Sequence, residues 1–158
     1  MSMTVNPSVV DEAHFAVRRT IRIAAPIDKV WTAVTEAEHI SKWFGKAMFE
    51  GTGVGTRGTL TFEGYGTVPL RIEAIDAPRM VAYRWGNDDA LGELAAEVDP
   101  AHSTVFTFTL ESVSDGTELT VVETGFENTS DPAANLESHR EGWDSELDKL
   151  VALLEGGS

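Results

Sequence analysis

The amino-acid sequence predicts an α+β protein in which a curved antiparallel sheet of about seven strands wraps around one long C-terminal helix. Stretches that alternate apolar and polar residues follow one another between residues 46 and 125, separated by turn signals, as is typical of consecutive antiparallel strands. The last part of the chain instead repeats apolar residues at intervals of three and four. Because a sheet of many antiparallel strands twists and has to cover one apolar face, we expect it to curl around that helix.

The beginning of the chain predicts a loose segment followed by one strand. Residues 1–12 show no periodicity and are expected to form a flexible N-terminal tail. A length of 158 residues with 42% apolar content is typical of one domain, which we place at residues 13–156. Between Phe15 and Ile23 every odd-numbered residue except Arg19 is apolar, which predicts the first strand.

Two short helices are predicted after this strand. Pro26 is expected at the first position of the first helix, where no backbone N–H is needed. Thr35 and Glu38 have the spacing of a capping box, which predicts a break near Thr35 and a second helix that ends around residues 43–45. The buried stripe of the first helix is expected to comprise Val30, Trp31, Val34 and Ala37.

The rest of the chain predicts six further strands and the long helix. The Asp115-Gly116 pair predicts a tight hairpin between the last two strands, and the acidic segment 86–102 predicts a long loop with one helical turn. Asp131 as N-cap and Pro132 at the first helical position begin the final helix, which Gly156 ends. The predicted strands cover residues 46–50, 56–63, 67–76, 80–86, 103–113 and 117–125. The face of the final helix comprises Leu136, His139, Arg140, Trp143, Leu147, Leu150, Val151 and Leu154.

A glycine-rich segment, Gly53-Val-Gly-Thr-Arg-Gly58, fits the dinucleotide-binding pattern GxGxxG. That motif binds a pyrophosphate only where a helix follows it, because the free N–H groups of the helix meet the phosphates. The residues after Gly58, TLTFE, have the alternation of a strand. We therefore interpret the segment as a glycine-rich hairpin loop and expect no nucleotide cofactor.

Composition excludes several classes of function. A net charge of −14 disfavours nucleic acids and anionic membranes, whose binding depends on cationic contacts. There is no cysteine, and the four histidines lack ligand spacing, so we predict no metal site and no cofactor. The N-terminus has neither the basic nor the apolar region of a secretory signal, and no apolar run reaches the length of a membrane span. These features predict a cytoplasmic protein.

Several segments resemble one known family. They are APIDKVWTAVTEAEHISKWF at residues 25–44, PRMVAYRW at 78–85, GTELTV at 116–121, Gly125-Phe126 and Gly142-Trp143. Over about residues 15–155 the chain resembles the homologues of the heat-shock protein 90 ATPase activator, in the START/SRPBCC superfamily with the birch-pollen allergens and polyketide cyclases. The resemblance implies the helix-grip fold and a glycine-rich loop that borders a cavity. It leaves function open, because this superfamily includes carriers, cyclases and regulators.

Strand parity and the final helix predict the lining of an internal cavity, although plain core packing remains the alternative for each residue. The predicted lining comprises Trp43, Phe44, Leu60, Phe62, Leu70, Ile72, Val81, Tyr83, Trp85, Phe106, Phe108 and Trp143.

Two polar side chains are candidates for chemistry inside this cavity. Glu123 shares the parity of Leu119 and Val121, so it either points inward with a raised pKa or is solvated where the strand twists. The hydroxyl of Tyr83 is the second candidate. His139 is interpreted as a histidine at the edge of the core, and no catalytic residue is assigned.

Three functions remain open at this point. The first is binding of a small hydrophobic or aromatic molecule under the long helix. The second is an enzyme of the cyclase, dehydratase or hydrolase type that uses Glu123 or Tyr83 as acid–base groups. The third is an interaction module that regulates a chaperone or another protein. A homodimer is compatible with all three, because exposed strand edges or helix faces could pair.

Overall fold

A computed structural model describes residues 7–87 and 97–156 of the chain. Its strands form one eight-stranded antiparallel sheet: β1 (Val9–Asp11), β2 (Ala16–Ile23), β3 (Lys46–Phe49), β4 (Arg57–Phe62), β5 (Gly66–Asp76), β6 (Met80–Trp85), β7 (Thr104–Val113) and β8 (Gly116–Thr124). The order across the sheet is β1-β2-β8-β7-β6-β5-β4-β3. The helices are α1 (Ile27–Thr35), α2 (Ala37–Ile40) and α3 (Pro132–Glu155).

The core lies between one face of the sheet and helices α1 and α3. Along β7 and β8 the buried residues alternate with more exposed ones, so each strand turns one parity toward the helices. Helix α3 packs chiefly on β2 and α1 on β7. The helix-grip architecture predicted from the sequence is confirmed, with the long C-terminal helix held against the sheet.

The N-terminal tail is shorter than predicted. Val9–Asp11 pair with β2, Val9 opposite Arg18, and the backbone N–H of Ser8 donates to Asp144 Oδ1 at 2.6 Å. Three residues are too few to show periodicity, so this edge strand leaves no pattern in the sequence. The prediction of a loose segment up to residue 12 is therefore wrong for residues 8–12, and residues 1–6 lie outside the described part.

The predicted start of α1 and the predicted capping box both need correction. Pro26 is the N-cap of α1, in an extended conformation, and lies one position before the first helical residue. Glu36 is the N-cap of α2 and makes no side-chain cap hydrogen bond, while the Thr35 hydroxyl donates to the Trp31 carbonyl at 2.6 Å. A threonine that is still inside α1 can bond to its own preceding turn, so the capping-box spacing was misleading.

The hairpin between β7 and β8 depends on its glycine. Gly116 has a φ of +152°, and a Cβ placed on it would lie 2.1 Å from the carbonyl oxygen of Ile23. Only glycine allows this close approach of the hairpin to the end of β2.

Asp131 caps α3 as predicted, accepting a hydrogen bond from the backbone N–H of Ala134 at 3.2 Å.

A buried arginine fastens α3 to the sheet. Arg19 on β2 has a side chain only 1% exposed, and its guanidinium donates to the carbonyls of Trp143 and Asp144 and to Asp148 Oδ1, at 3.2, 3.0 and 2.7 Å. Its parity places it among apolar neighbours, where an unpaired charge would be costly. The helix supplies the partners, so this contact fixes where α3 lies on β2.

We expect Arg19→Ala to lower the free energy of unfolding by about 3 kcal/mol, because it removes one partner of a largely buried charged contact and leaves a hole. Urea denaturation measures this. Arg22→Ala is the control, because Arg22 is 58% exposed and its partner Asp115 is 69% exposed. Equal effects of the two substitutions would contradict the role given to Arg19.

Candidate functional site

The candidate site is a pocket of about 230 Å³ between α3 and the β4–β6 part of the sheet, and we call it the α3 pocket. On α3 its lining residues 139, 142, 143 and 146 follow the i, i+3, i+4, i+7 spacing of one helix face. The complete lining is Phe44, Phe62, Tyr65, Trp85, Asn87, Ser138, His139, Gly142, Trp143 and Glu146. The pocket therefore joins aromatic walls to a few polar groups, as ligand sites commonly do.

The interior of the grip is almost filled. Phe106 lies at its centre, with ring centroids 4.6 Å from Trp85, 5.2 Å from Trp143 and 5.3 Å from Tyr83. A hole of only about 10 Å³ remains there. The sequence predicted unfilled space in the interior, but the aromatic rings interdigitate closely enough to leave this hole, and the larger α3 pocket lies on the helix face around Gly142.

The predicted lining residues therefore divide into groups. Phe44, Phe62, Trp85 and Trp143 line the α3 pocket, and Phe44 also reaches the small interior hole. Ile72, Val81 and Glu123 are buried, and they line neither the α3 pocket nor the interior hole. The predicted residues that border the hole and not the α3 pocket are Trp43, Leu60, Leu70, Tyr83, Phe106 and Phe108.

Glu123 lies at the centre of a buried hydrogen-bond network. Its side chain is fully buried, and each carboxylate oxygen accepts one indole N–H at 2.8 Å, from Trp85 on β6 and Trp143 on α3. The hydroxyl of Thr104 on β7 also donates to it. His139 Nδ1 lies 2.9 Å from both oxygens. One carboxylate thus joins three strands to the helix.

The contacts of His139 define its protonation state. Nδ1 faces the Glu123 carboxylate and Nε2 lies 2.9 Å from the carbonyl oxygen of Asn87, and both of these groups accept hydrogen bonds. Both ring nitrogens therefore carry a proton, and the ring is an imidazolium paired with a carboxylate. The ring nitrogens that face these oxygens are engaged inside the protein.

The pKa of Glu123 reflects a balance of opposing effects. Burial acts to raise the pKa, and the positive charge and hydrogen bond of His139 act to lower it, together with the donors Thr104 and Trp85. The outcome is a pKa below the ordinary 4.5, so the carboxyl stays ionised. The raised pKa expected for a buried Glu123 is not found, because hydrogen-bond donors surround its carboxylate. These donors come from other elements and leave no pattern in the sequence of β8.

Tyr83, the second candidate for chemistry, is held by the backbone. Its hydroxyl donates to the carbonyl of Val34 at 2.7 Å, and burial raises its pKa. The phenol joins β6 to α1 and lies beside the small interior hole. It does not line the α3 pocket.

Several residues of the α3 pocket were not predicted from the sequence. Gly142 stands in the middle of α3, and a Cβ placed on it would meet nothing within 4 Å. A glycine inside a strongly periodic helix was a usable signal, because it costs about 1 kcal/mol relative to alanine. Tyr65 and Asn87 left no such signal; they meet only in three dimensions, where the Tyr65 hydroxyl donates to Asn87 Oδ1 at 2.7 Å.

The glycine-rich loop lies away from the α3 pocket. Gly53 and Gly55 have φ of +90°, and strand β4 follows the loop, as the sequence predicted. Its last glycine, Gly58, is packed so closely that an added Cβ would lie 2.3 Å from the carbonyl of Met48. Gly58 borders a separate groove of about 450 Å³ near Arg57 and Arg71.

Within residues 7–87 and 97–156, no group of three or more histidine, aspartate or glutamate side chains is placed to hold a metal ion. No helix of the described part is both long enough and apolar enough to span a bilayer.

The fold and the pocket define a helix-grip protein with a small aromatic pocket beside the middle of its long helix. The family described as Activator of Hsp90 ATPase homolog 1-like protein matches residues 24–155, and the chain belongs to this family. No curated protein matches the chain.

Solved structures similar to the chain share this fold. Protein MLL2253 from Mesorhizobium loti is 27% identical, with 90% of this chain and 98% of that one covered and a TM-score of 0.75. DynU16, a putative protein in the dynemicin biosynthetic locus, is 22% identical with a TM-score of 0.73; 90% of this chain matches 48% of that one. The Aha1 dimer from Colwellia psychrerythraea is 20% identical, with coverages of 90% and 98% and a TM-score of 0.68.

We expect Glu123→Gln to lower the free energy of unfolding by about 3–5 kcal/mol, because the amide places donors against donors and leaves the imidazolium unpaired. Denaturation followed by tryptophan fluorescence measures this. Glu118→Gln, on the opposite face of the same strand, is the matched control and should change stability by less than about 0.5 kcal/mol. Similar losses of unfolding free energy in both variants would contradict the stabilising role given to the Glu123 network.

The lowered pKa of Glu123 leads us to predict that the free energy of unfolding depends on pH. Its folded pKa lies below the ordinary 4.5, so its contribution is present above pH 4.5 and is lost as the pH falls through the folded pKa. The stability difference between the wild type and Glu123→Gln should therefore narrow as the pH is lowered below 4.5. Chemical denaturation at a series of acidic pH values tests this, and a difference that widens would contradict it.

Proposed function

We propose that this protein binds a small apolar or aromatic molecule in the α3 pocket. The observation that carries the proposal is the composition of the walls, where Phe44, Phe62, Tyr65, Trp85 and Trp143 surround a space open to solvent. Five aromatic side chains give the cavity mainly apolar walls, and aromatic rings dominate binding energetics. A volume of about 230 Å³ lies below the usual range for drug-sized ligands, so the ligand that we propose has one or two rings.

The pocket walls are held in place before any ligand arrives. Trp85 and Trp143 stack at 6.0 Å, and both indole N–H groups are fixed by Glu123. Phe44 packs on Trp143 at 5.5 Å. Side chains that are already ordered lose little conformational entropy on binding, which favours affinity.

Binding is supported over acid–base catalysis by the state of the two candidate groups. Glu123 accepts hydrogen bonds from Trp85, Thr104, Trp143 and His139, so its oxygens are engaged inside the protein. Tyr83 donates to a backbone carbonyl away from the pocket. A general base has to reach the proton that it removes. We therefore assign Glu123 and Tyr83 to support of the fold and of the pocket walls.

One of the similar structures is that of an Aha1 dimer, and we extend the expectation of a homodimer to this chain only as a prediction. Its edge strand β3 carries Met48, which is 63% exposed. The proposed ligand site lies within one chain and does not require a second copy.

Gly142→Leu should abolish binding in the α3 pocket while leaving the fold intact. The new side chain starts where a Cβ meets no atom within 4 Å, and leucine is a better helix former than glycine. The probe is indole, and its binding is followed by calorimetry and by the shift in melting temperature. Ser145→Leu, on the exposed face of the same helix, is the matched control and should bind indole like the wild type.

Two outcomes would contradict the proposed function. One is the absence of any saturable binding of indole, or of naphthalene as a second probe, to the wild type. The other is unchanged binding by a folded Gly142→Leu variant, which would place the ligand elsewhere. Circular dichroism establishes that each variant is folded.

A further inference from the structure

Four hydrogen-bond donors around the α3 pocket are already engaged within the protein. The indole N–H groups of Trp85 and Trp143 point to Glu123, which lies outside the pocket. The Tyr65 hydroxyl donates to Asn87 Oδ1, and His139 Nε2 lies against the Asn87 carbonyl. What these groups leave to a ligand is chiefly the carbon surface of aromatic rings, whose faces carry partial negative charge.

One carboxylate lines the same pocket. Glu146 lies one turn after Gly142 and Trp143 on the pocket face of α3, and its side chain is only 15% exposed. Burial raises its pKa, an effect that the neighbouring Lys149 opposes. Among the described residues that line the pocket there is no arginine or lysine. Aromatic rings beside one carboxylate are the groups that proteins use to bind organic cations.

The positive charge of His139 does not oppose this arrangement. Its ring is paired with the Glu123 carboxylate at 2.9 Å through both oxygens, so the two charges offset each other. The chain as a whole carries a net charge of −14, which attracts cations at long range. The overall charge and the Glu146 carboxylate at the pocket favour a positively charged ligand over a negative one.

We propose that the α3 pocket binds a small organic ammonium ion, whose methyl or ring groups contact the aromatic walls and whose positive charge lies beside Glu146. This inference rests on the proposed function, because it names the chemical class of the ligand for the same pocket. The ammonium inference specifies the charge of the ligand, which the aromatic walls alone do not determine.

Lys149 is the group that a bound cation has to replace. Its Nζ lies 2.6 Å from Glu146 Oε2, three residues along α3, and its side chain is 53% exposed. Ion pairs of this kind between neighbouring residues of a helix contribute little to stability. The lysine therefore neutralises the carboxylate in the free protein and can turn outward when a ligand brings its own charge.

The test compares two probes of nearly equal shape. Choline carries a quaternary nitrogen, and 3,3-dimethyl-1-butanol has a carbon atom at the same place and no charge. Calorimetric titration of the wild type with each should show that choline binds about tenfold more tightly. Competition with indole establishes that both probes occupy the α3 pocket.

Substitutions on α3 distinguish the effect of the Glu146 carboxylate on choline binding from the effect of the net charge of the protein. Glu146→Gln should weaken choline binding about tenfold and leave the neutral alcohol unchanged. Glu141→Gln removes one negative charge from the same helix at a side chain that is 70% exposed, and it should leave both probes unchanged. Lys149→Met removes the competing cation and should strengthen choline binding alone.

The outcomes distinguish this inference from the proposed function. If indole binds in a manner that depends on Gly142 but the alcohol binds as tightly as choline, the pocket takes neutral ligands and the ammonium inference is overturned. If choline is preferred equally by the wild type and Glu146→Gln, the assigned role of Glu146 is wrong and the inference fails. If neither indole nor either probe binds, the proposed function fails as well.

Discussion

The buried carboxylate of Glu123 is the constraint on which the rest of this structure depends. An ionised group with no solvent exposure is stable only when donors surround it, and here they come from β6, β7 and α3. These contacts hold the sheet and the long helix at one relative position. The adjacent Arg19 contact acts in the same way from β2. Two buried charges thus bond α3 to the sheet at defined positions along the helix.

The position of the pocket follows from this arrangement. Both indoles are held by Glu123 and pack against Phe106, while Phe106 and other rings border the interior hole of about 10 Å³. Space remains where α3 carries no side chain, at Gly142. The pocket is therefore set by one missing side chain beside two rings that are firmly held.

Sequence patterns predicted the features that depend on local spacing. Strand parity indicated the inward face of β8 but left open whether Glu123 points inward or is solvated, and Asp131 with Pro132 marked the start of α3. The partners of Glu123 were not predictable in this way. His139 comes near it only because α3 has one particular rotation about its axis, which Arg19 helps to fix. The filled interior depends likewise on how rings of several strands interdigitate, and spacing carries no information about that.

Some α3 residues at the pocket hold the helix on the sheet, and others form the pocket wall. His139 and Trp143 contact Glu123, so their replacement would disturb the packing of helix on sheet. Gly142 and Glu146 lie on the same face, and the pocket wall that they form is exposed to a ligand. Under the proposed function, changes of size at position 142 and of charge at position 146 would therefore alter which ligand the pocket binds while the network keeps the fold. A helix-grip domain built in this way can change its ligand through two positions, because the energy that holds its helix comes from others.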